Sequence, residues 1–529
     1  MKKILSVLLV CILTLGILAG CGGSTPAPAA PTAPADGGTT PATPATPSES
    51  TPAAPAATKT DVVLAIQGEP TSLDTHYPDD GNMRTVTWSV FEPLYKLDGA
   101  TLEPIPCLAT DYKLVDDLTW EFTIRDGVKW HNGDDFTVDD AVFSINRVID
   151  PDYNSQIFSD FDSIDRAEKV DDKTLRIITK SADPVLLKRL GKLDMVSKNF
   201  TEGKSPDEMT SVAMGTGPYK LDHWTRGVEI VITRNDGYWG EQPVLEKATY
   251  RFIEEVVTRA AALRTGEIDI AVNMYPEYVS DLPKVFSGIG TETSWIRFNQ
   301  FSGMMRDKNL RLAANYAIDR EALADALFGG YAHPCEGQMG RDGYFGYSDK
   351  VSMYPYDVAK AKELLAAAGY NNERIELLSE RGRWLKDGEL TEAVVAQLRE
   401  AGFNIEARFV SWNEWLDTLF DRSKTPDLQF SCTSNEFFDM DRTYSAIVHS
   451  SGTQTGVVNA EYDAMIDDAK SELDPARRQE IYDELVQKLY DDPFAIYLLV
   501  LDDLHGGAAN LNWTLRQDSR IYISELSFS

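Results

Sequence analysis

Cysteine, histidine and positive charge are all scarce in this chain. Five cysteines are spread over 529 residues. Cys11 and Cys21 sit near the N-terminus, which leaves Cys107, Cys335 and Cys432, an odd and widely spaced set. Such a set is no disulfide framework and matches no zinc-ligand spacing, so three buried small residues are expected. Six histidines, at 76, 131, 223, 333, 449 and 505, show no paired ligand spacing. Neither a metal nor a cofactor is therefore expected. Asp160 and Asp162 lack the glycine of a calcium loop and read as a solvated acidic loop. Lys and Arg number 51 against 83 Asp and Glu, a formal net charge of −32. Surface binding to nucleic acid or an anionic membrane needs clustered cations, and the balance argues against both. No HExxH, GxSxG or Walker loop occurs, so the chain does not read as an enzyme. Long apolar runs are missing too, with one exception.

That exception is residues 4–18, preceded by Lys2 and Lys3. At about fifteen residues it is short for a membrane span and suits the core of a signal peptide. It ends Leu18-Ala19-Gly20-Cys21, which resembles a bacterial lipobox. Residues 1–20 are read as a lipoprotein signal peptide and Cys21 as the lipid anchor. Loss of Lys2 and Lys3 with the leader moves the net charge from −32 to −34. Residues 21–60 are the lipidated Cys plus a tether rich in Pro, Ala and Thr, with nine prolines between Gly22 and Lys59. That composition cannot form a core, so a disordered, extended segment is expected.

The remainder alternates strand and helix signals, which predicts an α/β fold. Residues 62–66 and 495–501 read as buried strands. Helices are expected over 85–94, from Thr137 to 149, over 257–265 before Gly266, and as one long element over 309–328. A strand, a helix and a strand follow at 375–378, 389–401 and 405–410.

A series of motifs carries more. Glu69-Pro70-Thr71-Ser72-Leu73-Asp74 leaves the first strand, and Phe91-Glu92-Pro93-Leu94-Tyr95 follows. Residues 120–133 run from a strand into an Asn132-Gly133 turn. Then come Gly215-Thr216-Gly217-Pro218-Tyr219, Arg234-Asn235-Asp236-Gly237-Tyr238-Trp239, Leu263 to Asp269, Ala317-Ile318-Asp319-Arg320, and Ala361 through Gly369-Tyr370. Read as residues, most of these are structural. Gly215 and Gly217 permit a tight reversal before Pro218, Gly266 and Gly369 end helices, and Asp269 and Asp319 cap or bridge. In order and spacing, the series resembles the extracytoplasmic solute-binding proteins, family 5, of bacterial ABC importers. Trp130 and Asn132 stand where that family usually carries Phe and Asp.

The resemblance implies a two-lobed, periplasmic-binding-protein-like α/β fold with a hinge and an extra subdomain inserted in lobe one. Lobe one would comprise 61–102, 211–298 and 503–529, the insert 103–210, and lobe two 299–502. Hinge crossings are expected near 296–299 and 501–503. The implied function is a lipid-anchored, monomeric receptor on the extracytoplasmic face of a bacterial membrane. It captures a small solute, foremost a di- or oligopeptide or peptide-like compound, between its lobes. It delivers that ligand to permease subunits driven by cytoplasmic ATPases. The alternatives are the same fold binding an oligosaccharide or a nickel chelate, a signal-peptide sensor and, last, a tethered extracellular hydrolase.

Three segments have the aromatic and polar composition of a closing cleft. The first, 77–82, offers Tyr77, Asp80 and Asn82, and faces the ligand in the family. The second is Arg381-Gly382-Arg383-Trp384 with Asp387 beyond it, where an Arg beside a Trp clamps a carboxylate and stacks on planar groups. The third is 430–444. Peptide-binding members carry an Asp here that pairs with the ligand's α-amino group. By position that Asp falls near Ser434, which cannot neutralise an amine; Glu436, Asp439 and Asp441 are the alternatives. Trp412 and Trp415, three apart on a helix, read as core, with the cleft as the alternative.

Overall fold

The computed structural model describes residues 59–78 and 80–529. Residues 1–20, read as a signal peptide, Cys21, residues 22–58 of the expected tether, and Asp79 lie outside the described residues. Among the described residues no helix is long and apolar enough to cross a membrane.

A single eleven-stranded sheet runs through the molecule. At one end, strands Tyr219–Thr225, Glu229–Arg234, Lys247–Phe252, Asp61–Ile66 and Ile270–Ala271 lie side by side. Strand Asp61–Ile66 pairs in parallel on both edges. Its DVVLAI run is apolar almost throughout because both faces are covered. At the other end lie Leu428–Ser434, Ile375–Ser379 and Ile405–Phe409, again paired in parallel where they meet Ile375–Ser379.

Two long strands join the ends. Lys284–Phe298 and Ala495–Gly507 pair antiparallel, from Lys284 opposite Gly507 to Arg297 opposite Ala495. Their register shifts between Ile289 and Thr293. There Gly290 lies so close to the partner strand that a Cβ would meet the Leu501 carbonyl oxygen at 2.7 Å. Only glycine fits that approach. Separate apolar cores flank the break: Ile296, Phe430 and Leu498 share one cluster, and Leu64, Tyr250 and Ile270 another.

A third core belongs to the region read as an insert. Strands Ala109–Asp116, Thr119–Ile124, Thr174–Thr179 and Ile164–Lys169 form a four-stranded sheet. Helix Val138–Ile149 packs on it, started by a capping box between Thr137 and Asp140.

Several recognised motifs meet at one buried carboxylate. Glu92 accepts hydrogen bonds from Thr216 Oγ1 at 2.9 Å, Tyr238 OH at 2.8 Å and Trp239 Nε1 at 2.8 Å. Gly215 and Gly217 are needed because the Val90 carbonyl passes so near that Cβ atoms would stand 1.9 and 2.6 Å from its oxygen. The motifs are therefore one packed junction rather than a reactive site.

Two helix expectations change. Only Gly81–Thr87 is helical in the first, because the Ser89 and Val90 carbonyls accept from Tyr219 N and Gly217 N instead. The long helix is two, Lys308–Tyr316 and Arg320–Phe328. The buried Arg320 guanidinium takes the Asn315 and Ile318 carbonyls, and Asp319 caps the second helix through Ala322 N at 3.0 Å.

Candidate functional site

The largest described cavity, about 720 Å³, lies against the register break of the long strands. Thr291, Glu292 and 501–504 form its floor. Gln67 and Asn273 come from one end of the sheet, and Arg383, Trp384, Trp412 and Ser434 from the other. A second cavity of about 410 Å³ shares Gln67, Asn273 and Arg383 with it and adds Asp80, Asn82 and Thr85. A third, of about 100 Å³, contains Arg84, Lys192, Glu436 and Arg520. The large cavity has room for an organic solute and combines aromatic walls with polar groups.

Its aromatic wall is built by two adjacent elements. Helix Trp412–Phe420 is capped by the Ser411 side chain and projects Trp412 and Trp415 together, stacked 4.8 Å apart at 12°. Trp384 meets both edge-on, at 5.7 and 5.5 Å. Of the two positions open for Trp412 and Trp415, the cleft alternative fits: although Trp415 is buried, both line the cavity. The three-residue spacing on an amphipathic helix is the signal that pairs them.

Arg383 and Trp384 are presented by a loop gathered around one carboxylate. Asp387 accepts from the amides of Gly382 at 3.0 Å, Arg383 at 3.0 Å and Trp384 at 2.9 Å. Glu380 adds a second acceptor for the Arg383 amide at 2.9 Å. Burial and the neighbouring Asp387 carboxylate push the Glu380 carboxyl up to about 7. The Arg383 guanidinium sits 5.2 Å from the Trp412 ring centre. Among the described residues it has no carboxylate partner, so its charge faces the cavity.

The other expected site residues divide. Asp80 caps helix Gly81–Thr87 through Asn82 N at 2.9 Å and also accepts from Thr71 N at 3.0 Å. Both Asp80 and Asn82 line the second cavity. Tyr77 lines none of these cavities and packs edge-on against Tyr153 at 6.1 Å. Arg381 points away, ion-paired to Glu392 and 3.7 Å from the Phe409 ring centre. Ser434 lines the large cavity.

Every acid proposed to replace Ser434 already holds a protein cation. Glu436 pairs with Arg84 at 3.0 Å and Lys192 at 2.8 Å, which keep its carboxyl far below the usual range despite burial. Asp439 holds Arg478 through both oxygens, at 2.6 and 2.7 Å. Asp441 pairs with Arg189 at 2.7 Å. Lys192 also reaches Asp160 at 2.6 Å, so Asp160 is buried and neutralised rather than solvated.

Sequence reasoning missed Glu292 and Asp503 on the cavity floor. Glycines at 288 and 290 inside a strand pattern are the signal for the irregularity that exposes them. Cys107, Cys335 and Cys432 are buried free thiols, and Cys432 touches the large cavity. Among the described residues no group of three His, Cys, Asp or Glu is arranged to hold a metal ion.

Comparison with known proteins gives this geometry a setting. The curated glutathione-binding protein GsiB of Pectobacterium atrosepticum is 31% identical over 326 residues, covering 59% of this chain and 62% of the relative. The chain thus spans about three fifths of the length of the curated relatives it matches. Among solved structures, the ABC transporter substrate-binding protein CtaP of Listeria monocytogenes superposes with a TM-score of 0.80 at 23% identity, over 89% of this chain and 99% of that one. The oligopeptide-binding protein AppA of Bacillus subtilis, in complex with a nonapeptide, gives 0.73 at 23% identity, over 89% and 99%. Both likenesses establish the two-lobed fold. The model of the bacterial extracellular solute-binding proteins, family 5, matches residues 103–455, more than half of the chain. The motif resemblance and the model agree, and this chain belongs to the bacterial extracellular solute-binding proteins, family 5.

Proposed function

We propose that the chain is the substrate-binding lipoprotein of an ABC importer, capturing a peptide or peptide-like solute in the large cavity and delivering it to a permease. A lipid on Cys21 holds it at the extracytoplasmic face of a bacterial membrane, as a monomer. No bond is made or broken by this chain.

One observation carries the reading: the Arg383 guanidinium, which has no ion-pair partner among the described residues, beside three indoles at the junction of the two sheet ends. A guanidinium aimed into a cavity receives a carboxylate, and indoles receive apolar or planar groups. A peptide supplies both. The relatives support the same class, since one is named for glutathione and another holds a nonapeptide.

Lobe one is taken as 61–102, 211–298 and 503–529, the insert as 103–210, and lobe two as 299–502. The hinge crossings are taken near 296–299 and 501–503, next to the register shifts between Ile289 and Trp295, and the lobes close over the ligand there.

Mass spectrometry of the protein purified without denaturation tests the reading. A co-purifying compound with peptide bonds is expected. Arg383→Ala should lose it and bind it at least about tenfold more weakly, consistent with loss of one charged hydrogen-bonded contact. A retained sugar or metal chelate would overturn the peptide assignment.

A further inference from the structure

We infer that Glu292 and Asp503 receive a cationic group of the ligand on the cavity floor, so that this site takes zwitterions, peptides with a free amine above all. The inference rests on the peptide reading above and deepens it.

One charge is missing from the cavity wall. The position expected to neutralise an amine is Ser434, and its acidic neighbours in sequence are bound to Arg84 and Lys192, Arg478 and Arg189. Strand pairing supplies a different neighbour. Glu292 lies directly opposite Ser434 in the antiparallel ladder, and both line the large cavity. Residues opposite each other in such a ladder have Cβ atoms about 5 Å apart. The carboxylate absent from one strand is therefore present on the next, on the same face.

The other acids of the cavity narrow the choice. Asp502 is held by His333 at 2.8 Å. Asp503 lies over Gly290, where a Cβ would stand 3.0 Å from its Oδ1. Among the described residues, neither Glu292 nor Asp503 has an ion-pair partner. Arg383 lines the same cavity, and its charge acts on Glu292. Opposite charges thus remain unneutralised within one enclosure, which a zwitterion would complement.

Burial pushes both carboxyls up to about 6. Around Glu292 stand Arg383, Cys432, Asp503 and Asp387; around Asp503 stand Ser519, Asp502, Arg341 and Asp518. An arriving ammonium favours the ionised carboxylates. Binding should release protons near pH 6, and affinity should rise as pH increases through that value.

The test offers the full chain a mixed tripeptide library and the same library N-acetylated, with retained peptides counted by native mass spectrometry. Free-amine peptides should be retained at least about tenfold over acetylated ones, as expected when one partner of a desolvated charge pair is removed. The isosteric Glu292→Gln, Asp503→Asn double variant should lose that preference while keeping its melting temperature. Equal retention of both pools by the natural protein overturns the inference and leaves the peptide reading standing. Retention of neither pool overturns both. The acetylation arm needs no mutation, so it decides even if the variant fails to fold.

Discussion

Asp387 shows how much of the site depends on a residue that need not touch a ligand. Its carboxylate collects the amides of three successive residues and, through them, sets the direction of Arg383 and Trp384. It also opens helix Asp387–Ala401, where a negative charge is favoured by the helix dipole. Glu380 is the less comfortable member of the pair, because burial and Asp387 together disfavour its ionised form. The sign of the consequence is fixed. In the unfolded chain Glu380 loses its proton near 4.5, whereas in the folded protein it holds it up to about 7. The folded state binds the proton more tightly, so stability from this group is lost as pH rises from about 4.5 through 7. Glu380→Gln should therefore melt with a smaller drop between pH 5 and 7.5 than the natural protein. Identical slopes in thermal melts across that range would show that Glu380 ionises normally.

The strand Ile375–Ser379, its loop and the neighbouring helix Trp412–Phe420 act together as one presenting unit. The helix contributes the outer indole, Trp412, stacked on the buried Trp415. Trp412→Ala removes ligand-facing area while leaving the Trp415 Nε1 bond to the Phe430 carbonyl, at 3.0 Å, in place. An aromatic contact of roughly 1 kcal/mol beyond its buried area gives about a tenfold loss of affinity, with little change in melting. Calorimetry with the co-purified ligand checks this, and unchanged affinity would remove Trp412 from the site. Elements whose signals are local were legible in the sequence: the Thr137 capping box, helix Val256–Thr265 with Gly266 beyond it, and the motif glycines around Pro218. Arg383 and Trp384 were legible for the same reason, as an Arg–Trp pair ahead of an Asp. The role of Glu292 was not, because it depends on register with Ser434, 142 residues away. Spacing within a segment carries no information about such pairing. The break in 309–328 was hidden similarly, since Arg320 is held inside by the Tyr497 carbonyl of a distant strand.

At the scale of the whole molecule, charges from distant segments meet in ion pairs, and the proposed closure of the lobes would depend on them. Glu436, on the side of the long strands that carries Trp384 and Trp412, holds Arg84 from the first segment and Lys192 from the inserted region. Arg189 reaches Asp441 at 2.7 Å, and Lys188 Nζ donates to the Phe438 carbonyl at 3.0 Å, along the same seam. Lys386 likewise meets Glu277 across the cleft. The Arg189–Asp441 pair is buried and the Glu436 pairs are partly buried, so separation of the proposed lobes would return their charges to water. When the bodies part, each charge regains water, so the cost of an unmatched charge falls on the closed form alone. Glu436→Gln leaves Arg84 and Lys192 facing each other without their shared anion. Removing one partner of a buried pair costs about 3–5 kcal/mol. Even a third of that moves the open–closed equilibrium about tenfold. Small-angle scattering of Glu436→Gln should give a larger radius of gyration than the natural protein without ligand, and ligand should restore the compact form at higher concentration. A radius unchanged in the variant would mean that the cavity walls, rather than this ion cluster, hold the lobes together.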